Sequence, residues 1–202
     1  MRIGLFGGTF DPVHVGHLIL AEQCRTQAKL DEVWFLPSYE PPHKSSRAVT
    51  RFEQRCEMLT LATAGQPAFR IETIEKELPA PSYTAKTLHE LNERHPGHEF
   101  HLLLGADSLV DLPTWYEPQA VIDQAGLIVV PRPGVILLTA EMLASALGLD
   151  AARIRMRLVS SPLVDVSSRD LRRLVAGGHS IRYMVPRSVE EYVRERKLYL
   201  GK

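Results

Sequence analysis

The stretch GGTFDPVHVGH, from Gly7 to His17, most constrains what this chain can fold into. It follows a short apolar run, Ile3 to Phe6, and precedes a helix-like run, Leu18 to Ala28. This order predicts a strand, a glycine turn and a helix start. The paired glycines let a ligand approach the main chain closely, and free N–H groups at a helix start favour an anion. The stretch therefore predicts a phosphate site.

Two histidines belong to this stretch. His14 and His17 are three residues apart, so at a helix start they share one face and both can donate hydrogen bonds to phosphate oxygens. Gly16 between them leaves room for a ligand. Two other interpretations stay open. One is a tight turn with two surface histidines, and the other is a zinc site in which Asp11 is the nearest further ligand.

Short apolar runs alternate with longer amphipathic runs along the 202 residues. The apolar runs predict strands at Ile3–Phe6, Glu32–Leu36, Phe69–Ile71, Phe100–Leu104, Leu127–Val130 and Arg157–Val159. The amphipathic runs predict helices at Leu18–Ala28, Arg51–Ala64, Thr84–Arg94, Pro118–Gln124, Ala140–Leu147, Ser168–Ala176 and Ser188–Arg196. The alternation predicts an α/β fold with a doubly wound parallel sheet, in a single domain over residues 1–202. Ligands of such sheets bind beyond the carboxyl ends of the strands.

Composition narrows the function classes. The 24 Lys and Arg residues equal the 24 Asp and Glu residues, so bulk charge gives no reason to expect a nucleic-acid or membrane-surface partner. No apolar run approaches the length of a membrane span. The two cysteines, Cys24 and Cys56, form no spacing motif, which favours a reducing, cytoplasmic location. The oligomeric state stays open, a homo-oligomer included.

The string GGTFDPVHVGH resembles the HxGH signature of the nucleotidyltransferases, and its longer form is similar to that of the bacterial nicotinate-nucleotide adenylyltransferases. The resemblance runs from Arg2 to about Tyr199. It implies a Rossmann-like nucleotidyltransferase fold. It also implies ATP and nicotinate mononucleotide as substrates, with deamido-NAD and pyrophosphate as products. A Mg²⁺ ion is expected to enter with the ATP phosphates, so no dedicated protein metal site is predicted.

Three further strings extend the resemblance towards ATP. After the second strand, Pro41-Pro42-His43-Lys44 predicts an extended loop that presents Lys44 to a polyphosphate. The string Ser167-Ser168-Arg169 begins a predicted helix, and Arg172 lies one turn into it. This arrangement is similar to the family's Ser-Ser-Thr-x-x-Arg. Its hydroxyls, N–H groups and guanidinium can hold phosphate. The basic pair Arg51 and Arg55 fits either a solvated helix face or a supporting phosphate role.

Other motifs point to the second substrate. Ser82-Tyr83-Thr84 resembles the string that binds the nicotinate carboxylate in the family, while Ser82 or Thr84 can also cap the following helix. Gly105-Ala106-Asp107 followed by Trp115 is similar to the family pattern in which Trp stacks on the pyridine ring. Asp107 can accept from a ribose hydroxyl or cap the next helix. Arg132, in a Pro-Gly turn, can reach the nucleotide.

These motifs together define the predicted site. The residues expected to stabilise charge on the leaving pyrophosphate are His14, His17, Lys44 and Arg172. The residues expected to bind ATP are Gly7, Gly8, Thr9, Phe10, Gly16, Gly105, Asp107, Arg132, Ser167 and Ser168, and those expected to bind the mononucleotide are Ser82, Tyr83, Thr84 and Trp115.

Sister enzymes remain as alternatives. Phosphopantetheine and nicotinamide-mononucleotide adenylyltransferases share the HxGH motif. A non-catalytic nucleotide-binding regulator is an alternative of another class, although a regulator could have lost the histidines and cations that this chain keeps. A dinucleotide oxidoreductase is disfavoured, because the first turn lacks G-x-G-x-x-G and Pro37 stands where an acidic residue would end the second strand.

Overall fold

The structure is a computed structural model that describes residues 1–40 and 49–201. Its strands are β1 (Arg2–Gly8), β2 (Glu32–Pro37), β3 (Phe69–Ile71), β4 (Glu99–Gly105), β5 (Gly126–Val130) and β6 (Met156–Leu158). Its helices are α1 (Val15–Ala28), α2 (Phe52–Thr63), α3 (Thr84–Arg94), α4 (Ala106–Asp111), α5 (Pro118–Gln124), α6 (Ala140–Leu147), α7 (Ser168–Ala176) and α8 (Arg187–Glu195). Short 3-10 helices lie at Ile74–Lys76, Leu112–Thr114 and Ala151–Arg153.

The strands form one parallel six-stranded sheet in the order β3-β2-β1-β4-β5-β6. The chain runs outward from β1 through β2 to β3 and then crosses to the other side of β1 as β4. The boundary between β1 and β4 is therefore the point where the winding direction reverses, and ligands of such sheets bind beyond the strand ends there. The predicted doubly wound α/β sheet is confirmed.

Apolar side chains cover both faces of the sheet, because successive residues of a strand point to opposite sides. On β4, Leu102 and Leu104 belong to one buried cluster and Leu103 to the other. Helices α3, α5 and α6 complete the first cluster, whereas α1, α2, α7 and α8 complete the second. This explains why the central strands are continuous apolar runs without polar alternation.

The predicted elements match the structure with two differences at the site. Helix α1 begins at Val15 rather than Leu18, which places His17 in its first turn. Helix α4 was not predicted, because its six residues are too short for a helical period to show. Within the described residues, no helix is both long and apolar enough to cross a membrane.

Candidate active site

The turn between β1 and α1 depends on its two glycines for different reasons. Phe10 adopts a left-handed φ of 49°, and its ring packs under Gly8, where a Cβ would lie 2.9 Å from it. Gly8 is therefore required by a ring of the protein itself. At Gly7 a Cβ would meet nothing within 4 Å. The open space above Gly7 is the place where a ligand can approach the main chain.

The two histidine rings stack on each other at the start of α1. Their centroids are 3.7 Å apart, and Nδ1 of His17 accepts the main-chain N–H of His14 at 3.2 Å. Because Nδ1 accepts, the neutral His17 ring carries its proton on Nε2. A Cβ at Gly16 would lie 3.1 Å from Nδ1 of His14. Gly16 thus makes room for an imidazole of the protein, while room for a ligand there stays a prediction.

Both imidazoles are neutral at pH 7 in the ligand-free protein. The ring of His14 is buried, and this burial, reinforced by the nearby charge of Arg132, lowers the pKa of His14 to about 4. Burial also lowers the pKa of His17 far below its usual value, with smaller contributions from His14 and Arg132. Nδ1 of His14 has no hydrogen-bond partner among the described residues. The pair therefore offers donors to an anion without bringing positive charge.

Helix α7 contacts this turn through its first residues. Ser167 is the N-cap: its Oγ accepts the N–H of Asp170 at 3.1 Å and donates to the carboxylate of Asp170 at 2.6 Å. Ser168 donates its hydroxyl hydrogen to the carbonyl of Pro12 at 2.8 Å. In the ligand-free protein both hydroxyl hydrogens already have acceptors, so the expected donation from these hydroxyls to phosphate requires a change of partner and stays a prediction. The main-chain N–H groups at the helix start remain as candidate donors.

Arg172 lies one turn into α7 and reaches the same turn. Its Nη1 donates to the carbonyl of Asp11 at 2.6 Å. A guanidinium has five N–H donors in total, so this bond leaves others for a phosphate. The contact also fixes where the charge of Arg172 lies relative to the histidines that follow Asp11 in sequence.

Arg55 supports the turn from the side of α2. Its side chain is 1% exposed. Its three guanidinium nitrogens donate to the carbonyls of Thr50, Thr9 and Ser38 at 2.9, 2.8 and 2.7 Å. The interpretation of Arg55 as part of a solvated face is wrong, while its supporting phosphate role stays a prediction. Its spacing on α2 places it on the same face as the buried Phe52 and Leu59, a signal of burial in the sequence, but only the tertiary structure brings the three carbonyls together.

Asp11 is a second buried charge in the turn, 4% exposed. Its carboxylate accepts the hydroxyl of Tyr199 at 2.6 Å and the N–H of Thr50 at 3.3 Å. These contacts occupy the side chain that the zinc interpretation would need. Among residues 1–40 and 49–201, no three His, Cys, Asp or Glu side chains are grouped so that they could hold a metal ion.

The ends of β4 and β5 form the opposite side of the site. Gly105 is the N-cap of α4, and that helix has no side-chain cap, so the capping interpretation of Asp107 is wrong. Asp107 instead lies 3.4 Å from Nη1 of Arg132, with both side chains about half exposed. Since Arg132 lowers the pKa of both histidines, the structure brings this side of the sheet close to the start of α1.

The start of α3 carries the string expected to bind a carboxylate. Tyr83 is its N-cap and no side chain caps it, so the alternative in which Ser82 or Thr84 caps the helix is wrong. The first helical hydrogen bonds are those from the N–H groups of Lys86 and Thr87 to the carbonyl of Tyr83. Two main-chain N–H groups precede them, as a helix start that receives an anion requires.

Aromatic side chains join this helix start to the loop that carries Trp115. The rings of Tyr83 and Tyr116 stack with centroids 4.5 Å apart, and Nζ of Lys86 lies 5.4 Å from each centroid. Trp115 is half-buried and packs against the first apolar cluster. The structure therefore brings the two predicted parts of the mononucleotide site together, while pyridine stacking on Trp115 stays a prediction.

Glu75 is a buried carboxyl group beside this region that sequence reasoning missed. It accepts the N–H of Tyr39 at 3.1 Å and the hydroxyl of Thr87 at 3.5 Å, and it is hydrogen-bonded by the Ser82 side chain. Burial raises its pKa. Glu75 thus joins the segment after β2 to the start of α3.

The predicted cation Lys44 falls in residues 41–48, outside the described residues.

Comparison with known proteins identifies the family. The cytidylyltransferase-like family model matches residues 5–174. Probable nicotinate-nucleotide adenylyltransferases from Thermomicrobium roseum and Exiguobacterium sibiricum are each 44% identical to the chain; the alignments cover 98% of it and 91% and 99% of those relatives. The chain belongs to the nicotinate-nucleotide adenylyltransferases. The resemblance noted in GGTFDPVHVGH is thereby confirmed along nearly the whole chain.

A solved structure has the same fold at low sequence identity. It is a Plasmodium falciparum nicotinic acid mononucleotide adenylyltransferase complexed with NaAD, with a TM-score of 0.78 and 18% identity. The match covers 98% of this chain and 97% of that one. The sheet order and helix placement described above are therefore those of the adenylyltransferase fold.

Proposed function

We propose that this chain transfers the adenylyl group of ATP to nicotinate mononucleotide, giving deamido-NAD and pyrophosphate. One observation carries the proposal. The signature turn places two stacked imidazoles at the point where the winding of the sheet reverses, between α7 and the Arg132 side of the site. Family membership at 44% identity supports the same activity.

The reaction is a direct displacement at the α-phosphorus of ATP. An oxygen of the mononucleotide phosphate forms a bond to that phosphorus, and the bond to the oxygen bridging to the β-phosphate breaks. Pyrophosphate leaves with that bond's electron pair. The nucleophile is already an anion at neutral pH, so the protein's task is to align two anions and stabilise the charge on the leaving group.

Each predicted residue has a role in that task. Main-chain groups of Gly7, Gly8, Thr9 and Phe10 border the phosphates. His17 donates from Nε2 because its Nδ1 is held by the main chain, and His14 lies stacked against it. Positive charge comes from Arg172, from Arg132 and from Lys44. The neutral imidazoles place donors next to the reacting phosphates without repelling these cations.

The mononucleotide binds on the other side of the site. The free N–H groups at the start of α3 receive the nicotinate carboxylate, and Trp115 stacks on the pyridine ring. The Tyr83–Tyr116 stack holds these two elements side by side. Asp107, which belongs to the predicted ATP-binding residues, accepts from a ribose hydroxyl of ATP. These contacts favour the acid over the amide, because an anion gains more than a neutral amide at a helix start.

A divalent metal is generally needed for adenylyl transfer from ATP, and we propose Mg²⁺ here. The carboxylates described near the turn already have partners: Asp11 has Tyr199, and Asp107 has Arg132. This donor set fits a metal held mostly by phosphate oxygens and water, as Mg²⁺ often is. When bound, the ion neutralises charge on the polyphosphate.

The setting of the enzyme follows from the same features. We propose one nucleotidyltransferase domain over residues 1–202, working in the cytoplasm, where the free thiols Cys24 and Cys56 remain reduced. ATP and nicotinate mononucleotide are its small-molecule partners. Sedimentation equilibrium tests the homo-oligomer that the sequence leaves open.

Pyrophosphate release tests the proposal. The purified protein is given ATP and Mg²⁺ with nicotinate mononucleotide, nicotinamide mononucleotide or phosphopantetheine. Strong preference for the first is the expected result. Equal use of both mononucleotides would keep the reaction but contradict the role given to the start of α3. Release only with phosphopantetheine would assign the sister activity, and ATP binding without release would favour the regulator.

A further inference from the structure

The segment after α8, residues 196–201, returns to the signature turn. Its Tyr199 donates a hydroxyl hydrogen bond to Oδ1 of Asp11 at 2.6 Å, across 188 positions of sequence. The same hydroxyl lies 4.0 Å from the sulfur of Met58. Burial, with the charge of Asp11, raises the pKa of Tyr199 well above its ordinary value, so the hydroxyl keeps its proton and remains a donor throughout the working pH range.

The contact affects the site through Asp11, which lies in the signature turn. Its other carboxylate oxygen accepts the N–H of Thr50 at 3.3 Å, and its carbonyl accepts from Arg172 at 2.6 Å. The residue is thus held at its side chain and at its main chain. Three positions later the chain reaches His14, so a shift of Asp11 moves both the imidazole pair and the contact with Arg172.

The backbone after α8 adopts conformations that L-residues avoid. Lys197 and Tyr199 have φ values of 51° and 63°, in the left-handed region that is sterically unfavourable for residues with a Cβ. Such conformations persist where surrounding contacts compensate for them. The apolar packing of Tyr199 against the second cluster and its bond to Asp11 are those contacts.

We propose that Tyr199 is a positioning residue of the active site. Through Asp11, its hydroxyl holds the turn in the shape that aligns His14 and His17 with Arg172. The inference rests on the proposed function for its kinetic test and on the contact geometry alone for its spectroscopic test.

The chain offers a matched control for Tyr199. Tyr192 on α8 donates to the carboxylate of Glu57 at the same distance, 2.6 Å. Tyr199→Phe and Tyr192→Phe therefore each remove one tyrosine–carboxylate hydrogen bond. Because the Glu57 side chain is half exposed and Asp11 is buried, we expect the larger loss of melting temperature in Tyr199→Phe. We expect only Tyr199→Phe to lower kcat, by about tenfold, because misplaced reacting groups cost rate. KM for nicotinate mononucleotide stays unchanged in both.

Two further measurements separate positioning from stability. If Tyr199 acts through Asp11, kcat falls by the same factor in Asp11→Asn and in the double variant that combines Asp11→Asn with Tyr199→Phe. In NMR spectra of the ligand-free protein, Tyr199→Phe shifts the imidazole signals of His14 and His17, while Tyr192→Phe leaves them in place.

The inference is overturned if Tyr199→Phe keeps kcat within twofold, if Tyr192→Phe lowers kcat equally, or if the effects in the double variant add. A wild-type protein that releases no pyrophosphate with any acceptor would defeat the proposed function instead. In that case the imidazole shifts alone decide: their presence in Tyr199→Phe only supports the positioning role, and their absence overturns it.

Discussion

Replacement of His14 by glutamine should reduce the sensitivity of the fold to acid. In the folded protein, burial and the charge of Arg132 lower the pKa of His14 from 6.5 to about 4. The unfolded chain therefore takes up a proton as the pH falls through 6.5, whereas the folded protein resists protonation until about pH 4. Between these values the unfolded state binds more protons, so stability falls as pH falls.

The size of the effect follows from the two pKa values. A difference of one unit corresponds to about 1.4 kcal/mol. For His14 alone, lowering the pH from about 7.5 to about 5 should therefore remove about 2 kcal/mol of the free energy of unfolding. The side chain is 6% exposed, so solvent screening does not reduce this figure much. The lowered pKa of His17 acts in the same direction, which makes the His14 value a minimum for the pair.

Urea unfolding at the two pH values measures this effect. Other groups also titrate in this range, so the informative quantity is the difference between the variant and the wild type. His14→Gln should lose about 2 kcal/mol less than the wild type on acidification. The exposed His89 on α3 provides the control, and His89→Gln should behave as the wild type. An unchanged loss in His14→Gln would show that the imidazole is not kept neutral by burial.

The remaining predictions concern the same turn. Gly8→Ala should destabilise the protein by about 1–3 kcal/mol in urea unfolding, because its methyl would lie 2.9 Å from the aromatic ring packed beneath it. In Gly7→Ala the methyl meets nothing within 4 Å, so the stability should hardly change. Arg55→Met should cost at least about 3 kcal/mol of stability, because three buried carbonyls lose their donor at about 1–3 kcal/mol each. The exposed Arg51→Met should change it by less than about 0.5 kcal/mol. His17→Ala should cost about 3–4 kcal/mol of transition-state stabilisation, measured by kcat, with an unchanged circular dichroism spectrum; near-normal turnover would refute its role.

Local sequence information was sufficient for most of the fold. Helix α3 begins and ends at its predicted residues, because its apolar period is clear and Arg94 ends it before a histidine and a proline. Strands β4 and β5 are recognisable because they are buried on both faces and so consist of apolar residues in succession. Helix α4 escaped prediction since six residues contain fewer than two turns.

Site residues that lie together in one sequence motif were predictable, whereas residues from distant segments that hold the motif in place were not. His14 and His17 lie in one motif, and their spacing alone predicted that they meet. Nothing local shows that Arg55 binds three carbonyls, or that Tyr199 reaches back 188 positions to Asp11. Such contacts depend on which elements the sheet brings together: the helical spacing of Arg55 with Phe52 and Leu59 indicates a buried face, but it does not show which groups the guanidinium meets there.

Burial and charge in the site bear on how ATP would be received. The free protein keeps two neutral imidazoles beside Arg132, since desolvation and that guanidinium both disfavour a further cation. A triphosphate brings several negative charges next to the rings, and nearby negative charge raises a histidine pKa. We therefore expect bound ATP to raise the pKa values of His14 and His17. The burial that makes the ligand-free protein less stable in acid would therefore also make the charge of the two imidazoles depend on whether ATP is bound.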